Sequence, residues 1–375
     1  MSYLPRLARR ALPATAFAVG LALALPTYAA PNAYTVTKLD SDQSGVAAHT
    51  DANLVNGWGV AFNPNGFVWV SNNGSGTSTL YDGNGVAQSL VVNIPAANGE
   101  GNGNPTGITY NGTNDFNIVT NAPPSNASPT PARFIWASED GAINAWAPGL
   151  TTAVTKVTAT AEYKGIAIAG NGTANQLYAA DFTGMKIDVY TTTFAPTAVP
   201  GGFSDPKLPA GYGPFNIMNI QGNLYVAFAK VNTQTGDEID GPGLGFIDVF
   251  DADGFLLKRL ASRGPLNAPW GMALAPAGFG PFSNLLLVGN FGDGMINAFD
   301  TVLGIWAGHL RTSDHKDLKI EGLWGIAFGN GVLNQPTDTL FFAAGPGDES
   351  HGLYGRIDPA SSQGGGQGGN ENNMD

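Results

Sequence analysis

The chain has 375 residues, 52 of them glycine and 25 proline, with only 12% charged. Seventeen basic residues stand against 29 acidic ones and there is no cysteine. This excludes disulfides, a thiolate nucleophile and cysteine-held metal, and argues against a nucleic-acid partner, whose phosphates call for clustered lysine and arginine.

The chain begins with Arg6, Arg9 and Arg10, then a mostly apolar stretch from Ala11 to Leu25, then Thr27-Tyr28-Ala29. That succession predicts a secretory signal peptide over residues 1–29, cleaved after Ala29; the apolar stretch is short for a bilayer span. The Arg9-Arg10 pair hints at twin-arginine export, although ordinary secretion suffices. Without the leader, 14 basic and 29 acidic residues remain, a net charge of −15. The mature protein is expected outside the cytoplasm, periplasmic or secreted, without a membrane span.

Residues 33–39 alternate as a single strand with no partner beside it in sequence. A phrase then recurs: Gly57-Trp58-Gly59-Val60-Ala61-Phe62, Pro105-Thr106-Gly107-Ile108-Thr109-Tyr110, Tyr163-Lys164-Gly165-Ile166-Ala167-Ile168, Pro214-Phe215-Asn216-Ile217-Met218-Asn219, Pro269-Trp270-Gly271-Met272-Ala273-Leu274 and Leu323-Trp324-Gly325-Ile326-Ala327-Phe328. Its third residue falls at 59, 107, 165, 216, 271 and 325, a period that marks a repeat architecture. Each copy is followed by an aromatic or β-branched run, such as Phe67–Val70 or Leu340–Phe342, and then by a second phrase such as Ile143-Asn144-Ala145-Trp146 or Ile247-Asp248-Val249-Phe250. Turn residues bound these runs, as they bound strands. A more polar fourth strand follows in most copies, as at Ser89–Ile94, Val154–Ala159 and Phe255–Leu260.

Four strands repeated six times predict an all-β, six-bladed β-propeller over residues 30–360. The last repeat stops after its third strand, so the N-terminal strand is expected to complete it and close the ring, removing open sheet edges. A β-sandwich or β-helix would leave that strand unexplained. The excess in the second repeat, roughly Asn114 to Pro131, reads as a surface loop. Residues 361–375, rich in glycine, glutamine and asparagine, read as a disordered tail.

The phrases Asp51–Gly59, Tyr178-Ala179-Ala180-Asp181-Phe182, Leu266–Gly271, Val288–Gly294 and Glu349–Gly355 resemble an uncharacterised family of exported bacterial proteins over roughly residues 34–359. That resemblance implies a secreted propeller and names no activity. More distantly the chain is similar to NHL-repeat, gluconolactonase-like and streptogramin-lyase-like six-bladed propellers, an analogy of fold.

In such a ring the loop leading into each inner strand and the loop between strands two and three open on one face. The first set carries His49, Asp51, Asn56, Asn104, Glu162, Asn267 and Glu321. The second carries Asn72, Glu139, Asp140, Asp181, Asp237, Glu238, Asp240, Asn290, Asp348, Glu349 and His351. This face is acidic and amide-rich, and hard oxygen donors of this kind suit Ca²⁺ or Mg²⁺. The gluconolactonase-like resemblance implies a metal at the channel mouth held by Glu162, Asn216, Asn267 and Glu321, with Asp181 and Asn290 beside it; asparagine and aspartate that merely close their own turns are the competing account. His49 and His351, with Asp51 and Glu349 as neighbours, could form a metal-binding or acid–base pair at the closure, or cap their loops. Asp251-Ala252-Asp253-Gly254 is read as a hairpin turn. The glycine run Gly99-Glu100-Gly101-Asn102-Gly103 has no phosphate-cradling spacing, so no nucleotide cofactor is expected. No Gly-x-Ser-x-Gly elbow supports a hydrolase triad. The tryptophans are expected in the core. The sequence thus favours a monomeric scaffold whose acidic loop face binds a small molecule or an extracytoplasmic protein. A calcium-dependent lactonase-like hydrolase or lyase is the alternative, and a cell-surface structural protein a third reading.

Overall fold

The computed structural model describes Met1 and residues 30–119 and 129–360. The expected leader after Met1, the centre of the long loop in the second repeat and the expected tail lie outside the described residues.

Each copy of the recurring phrase forms the innermost strand of a blade. Blade 1 comprises Gly57–Phe62, Val68–Asn72, Thr77–Tyr81 and Val92–Asn93, in spatial order, and blades 2 to 5 repeat that antiparallel order. Blade 6 comprises Leu323–Phe328, Leu340–Ala344 and Leu353–Pro359, and its outer strand is Tyr34–Ser41 from the N-terminus. The expected six-bladed ring with N-terminal closure is therefore what the chain builds. Among the described residues the one helical element is a 3₁₀ turn at Gly280–Phe282, and no helix is long and apolar enough to cross a membrane.

The apolar residues of each strand divide between its two neighbours. Ala61, Trp69 and Leu80 of blade 1 pack with Ile108, Phe134 and Trp136 of blade 2, while Val60, Val70 and Tyr81 pack with Phe341 and Tyr354 of blade 6. Comparable cores fill the other four blade junctions. Burying each large side chain stabilises the fold by roughly 1.5–3 kcal/mol. The third residue of the phrase decides how closely inner strands approach. A Cβ on Gly325 would stand 2.5 Å from the Trp58 carbonyl oxygen. In blade 4 this residue is Asn216, whose Nδ2 instead donates to the Trp270 carbonyl at 2.8 Å.

One expectation is corrected. The ends of the long second-repeat loop form a short hairpin, Asn117–Ile118 with Thr130–Pro131. It is anchored by Phe116 and Ile118, both fully buried, with Phe116 against Phe194 of blade 3. Two apolar residues in a polar stretch hold the described start of the loop against the neighbouring blade.

The closure seam contains an unusual buried acid. Tyr34–Ser41 runs antiparallel to Leu353–Pro359, pairing Asp40 with Tyr354, while the short strand His49–Thr50 pairs with Asp40 and Ser41 from the other side. Tyr34 is wedged against Phe279 and Phe282 of blade 5 and donates its hydroxyl to the Phe279 carbonyl at 2.9 Å. Asp40 is 0% exposed, and neither carboxylate oxygen has a hydrogen-bond partner among the described residues; nor has the Tyr354 hydroxyl. Tyr354 stacks on Tyr81, which donates to Asp51 at 2.9 Å. Burial, reinforced by the charges of Asp51 and Asp82, pushes the Asp40 carboxyl up to about 7.

Candidate functional site

All six inner strands carry a register shift within the first four residues of the phrase, where the inner strand has one residue more than its partner. Such a bulge re-aims a side chain, and the second residue of the phrase lies inside the shifted segment every time: Trp58, Thr106, Lys164, Phe215, Trp270 and Trp324. Several of these meet across the ring, between blades that are not neighbours. Trp58 of blade 1 lies 6.3 Å from Trp270 of blade 5, and Phe215 of blade 4 lies 5.6 Å from Trp324 of blade 6. Only the channel axis permits both contacts. Trp324 is stacked between Trp58 at 3.7 Å and Phe291 at 4.1 Å, so an aromatic plug closes the channel. The tryptophans of the phrase are core residues, as expected.

Lys164 takes the place of an aromatic residue in blade 3. Its Nζ lies 5.1 Å from the Trp58 ring centroid, a cation–π contact. Nζ also pairs with Glu139 Oε1 of blade 2 at 2.5 Å and with Glu162 Oε1 at 2.8 Å. Burial alone would lower the lysine pKa, yet these two carboxylates hold it above its ordinary value. From Glu139 a chain of bonds crosses the mouth: Asn73 Nδ2 donates to Glu139 Oε2 at 2.8 Å, Asn56 Nδ2 donates to Asn73 Oδ1 at 3.3 Å, and Asn56 Nδ2 donates to Glu349 Oε2 at 2.8 Å.

Asp237 and Glu238 of blade 4 complete the acidic rim. The Glu238 carboxyl is pushed up to about 7 by burial, with Glu349 and Asp237 adding to the rise and Lys164 opposing it. Glu162 is raised by burial and by Glu139 and Asp237, against the pull of Lys164. Glu349 is raised by burial and by Glu139. Five carboxylates from blades 2, 3, 4 and 6 thus stand near one another with a single ammonium group, paired to Glu139 and Glu162, so the mouth carries an excess of negative charge or holds protons in its place.

The expected metal donors do not gather into one ligand sphere. Glu162 is paired with Lys164. Asn216 spends both ends of its amide on the Trp270 carbonyl and its neighbour's Ile217 N–H. Asn267 Oδ1 accepts from Gly241 N–H, and Glu321 accepts from Gly347 N–H. Asp181 accepts from the Glu162 and Gly184 N–H groups and pairs with Lys186. Asn290 donates to the Pro265 carbonyl and Asp293. No group of three or more His, Asp or Glu among the described residues is arranged to hold a metal ion. This donor set does not fit a calcium site as it stands, because its donors are engaged apart from one another: Asn216, Asn267, Glu321 and Asp181 accept from backbone N–H groups, Glu162 and Asp181 pair with lysines, and Asn290 Oδ1 is buried without a partner among the described residues.

The histidines likewise go separate ways. His351 Nδ1 faces Asp42 Oδ2 at 2.8 Å and its Nε2 faces Gln43 Nε2 at 2.9 Å. His49 sits on the exposed short strand beside Asp40. Asp51 is spent on Asn53 and Tyr81, and Glu349 on Asn56. Asp251 closes its own turn by accepting from Asp253 and Phe255 N–H groups, as the turn reading requires. Sequence reasoning missed Lys164, the hub of the site. The signal was its place: a lysine where three other copies of the phrase have tryptophan and one has phenylalanine.

No family model matches the chain. The chain is 35% identical over 338 residues to uncharacterized protein R648 of Acanthamoeba polyphaga mimivirus, covering 86% of this chain and 79% of that one. It is 36% identical over 337 residues to uncharacterized protein L690 of the same virus, covering 86% and 85%. Among solved structures it is similar to a protein of unknown function from Bacteroides thetaiotaomicron (TM-score 0.55, 10% identity, 87% of this chain and 76% of that one). It is also similar to a streptogramin B lyase (TM-score 0.50, 11% identity, 87% and 98%) and to a glucose dehydrogenase (TM-score 0.51, 13% identity, 87% and 100%). At these identities the structural likenesses speak for the propeller alone. The sequence likeness goes further: the chain belongs to the same family as the uncharacterized mimivirus proteins R648 and L690.

Proposed function

We propose that this chain is an exported binding propeller whose acidic channel mouth takes a cationic ligand. The observation that carries this reading is the ratio at the mouth: Glu139, Glu162, Asp237, Glu238 and Glu349 around a single Lys164. Carboxylates so crowded repel one another, and a bound cation relieves them as a proton does. The aromatic plug gives the mouth a floor, so a ligand docks on the face and does not thread the ring. The two ligand classes that fit are an organic ammonium group, which donates hydrogen bonds to the carboxylates, and a divalent cation such as Ca²⁺, which needs some oxygens to leave their present partners. The amine fits the arrangement with less rearrangement. A calcium-dependent hydrolase or lyase remains the alternative; the elevated Glu238 carboxyl favours it as a group able to exchange protons near neutrality.

The test is calorimetric titration at pH 7.5 and low salt with 1,3-diaminopropane and, separately, with Ca²⁺. Either is expected to bind saturably, weakening as ionic strength rises and as pH falls below about 7, where Glu238 takes up its proton. The double variant Glu238→Gln, Glu349→Gln is expected to lose roughly tenfold in affinity. Absence of binding by both probes at millimolar concentration, or unchanged affinity in the double variant, refutes the reading.

A further inference from the structure

Beneath the plug the channel changes character. The fourth residue of each phrase, Val60, Ile108, Ile166, Ile217, Met272 and Ile326, lines a cavity of about 120 Å³, one side chain from each blade. Trp270 of the plug borders the cavity as well. Thr109, Ile168, Met218 and Asn219, nearer the face opposite the acidic mouth, are partly or fully exposed and also border it. The cavity is therefore a well closed at one end. No charged side chain lines it. Both amides in its wall are satisfied internally: Asn216 by Trp270 and Ile217, Asn219 by Ile168 and Gly222. Trp270 Nε1 has no partner among the described residues.

An enclosed apolar cavity of about 150 Å³ takes benzene or xenon; here one end is open and the backbone of Gly59, Gly107, Gly271 and Gly325 shares the wall with the aliphatic side chains. This well is slightly smaller, and its aliphatic collar is written six times into the repeat. We infer that the well is a binding site for one small apolar group, a short alkyl end or a single ring, reached from the face opposite the acidic mouth. Its aliphatic collar supplies dispersion contacts around the ligand, and its volume is too small for fused rings. The inference is independent of the cationic-ligand reading, because the plug separates the two sites.

The test uses the full chain with benzene as the probe and xenon as competitor. Benzene is expected to bind one per chain, to raise the melting temperature, and to be displaced by xenon. Ile217→Phe and Met272→Phe, made separately, fill the well from different blades. Each is expected to weaken benzene binding at least tenfold while leaving 1,3-diaminopropane binding at the mouth unchanged. No saturable benzene binding up to its solubility limit overturns the inference. So does undiminished binding in either folded variant. If neither variant folds, wild-type competition decides: xenon that fails to displace benzene overturns the inference, and displacement supports it.

Discussion

Asp40→Asn is the most informative perturbation of the closure seam. In the folded protein the Asp40 carboxyl is buried, unpaired and holds its proton up to about 7, against an ordinary value of 3.8. A group raised in this way favours folding fully below its unfolded pKa, and that contribution is lost as pH rises through the folded pKa. Above both values the cost of burying the charge is constant, and the shift corresponds to about 4 kcal/mol. Asparagine has no proton to lose. The wild type is therefore expected to lose about 4 kcal/mol more than the variant between pH 4 and pH 8. Other elevated groups, Glu162, Glu238, Asp248 and Glu349, slope the same way in both proteins and cancel in the difference. Urea unfolding at four pH values across this range measures it, provided unfolding is reversible. Parallel stability curves for the two proteins would refute the reasoning.

Three further outcomes follow from the ring. Lys164→Met strands Glu139 and Glu162 beside an apolar plug; allowing for the partial exposure of both glutamates, the cost is expected at about 2–3 kcal/mol, read from the denaturation midpoint. Gly325→Ala drives a Cβ to 2.5 Å from the Trp58 carbonyl and is expected to cost about 1–3 kcal/mol. Gly112→Ala, whose Cβ would meet only the Tyr110 ring at 3.5 Å, should be nearly neutral; equal effects would contradict the close-approach account. Tyr34→Ala removes the anchor of the N-terminal strand and its bond to Phe279, with an expected loss of about 3–5 kcal/mol. A melting temperature unchanged from wild type would show that closure does not depend on it.

The blades were legible because strand packing in a propeller repeats: glycine at the third position of five of the six phrases answers to a close approach between neighbouring inner strands. The missing sixth outer strand and the unpaired Tyr34–Ser41 segment were also legible, since one solves the other. The bulge was not. Nothing in Trp58-Gly59 or Trp324-Gly325 announces an extra residue, and without the bulge there is no reason to aim the second position at the axis. That is why Lys164 escaped notice while Asn216, Asn267 and Glu321 drew attention. Asn267 and Glu321 lie outside the named strands, whereas Asn72, Asp181 and Asn290 end strands and Asn216 sits inside one; the backbone donors that occupy such groups, such as Gly241 and Gly347, come from turns distant in sequence. Asp40 shows the same limit: its sequence neighbours give no sign that blade 1 will bury it.

The aromatic plug has a consequence for how this architecture can change over time. Repeat proteins whose units touch only their nearest neighbours gain and lose units readily. Here Trp58 meets Trp270 and Phe215 meets Trp324 across the axis, so both contacts depend on the radius of the ring. Inserting a seventh blade by duplication would widen the axis and pull these rings apart; removing one would make them collide. The plug thus fixes the count at six, and leaves diversification to the loops around the mouth.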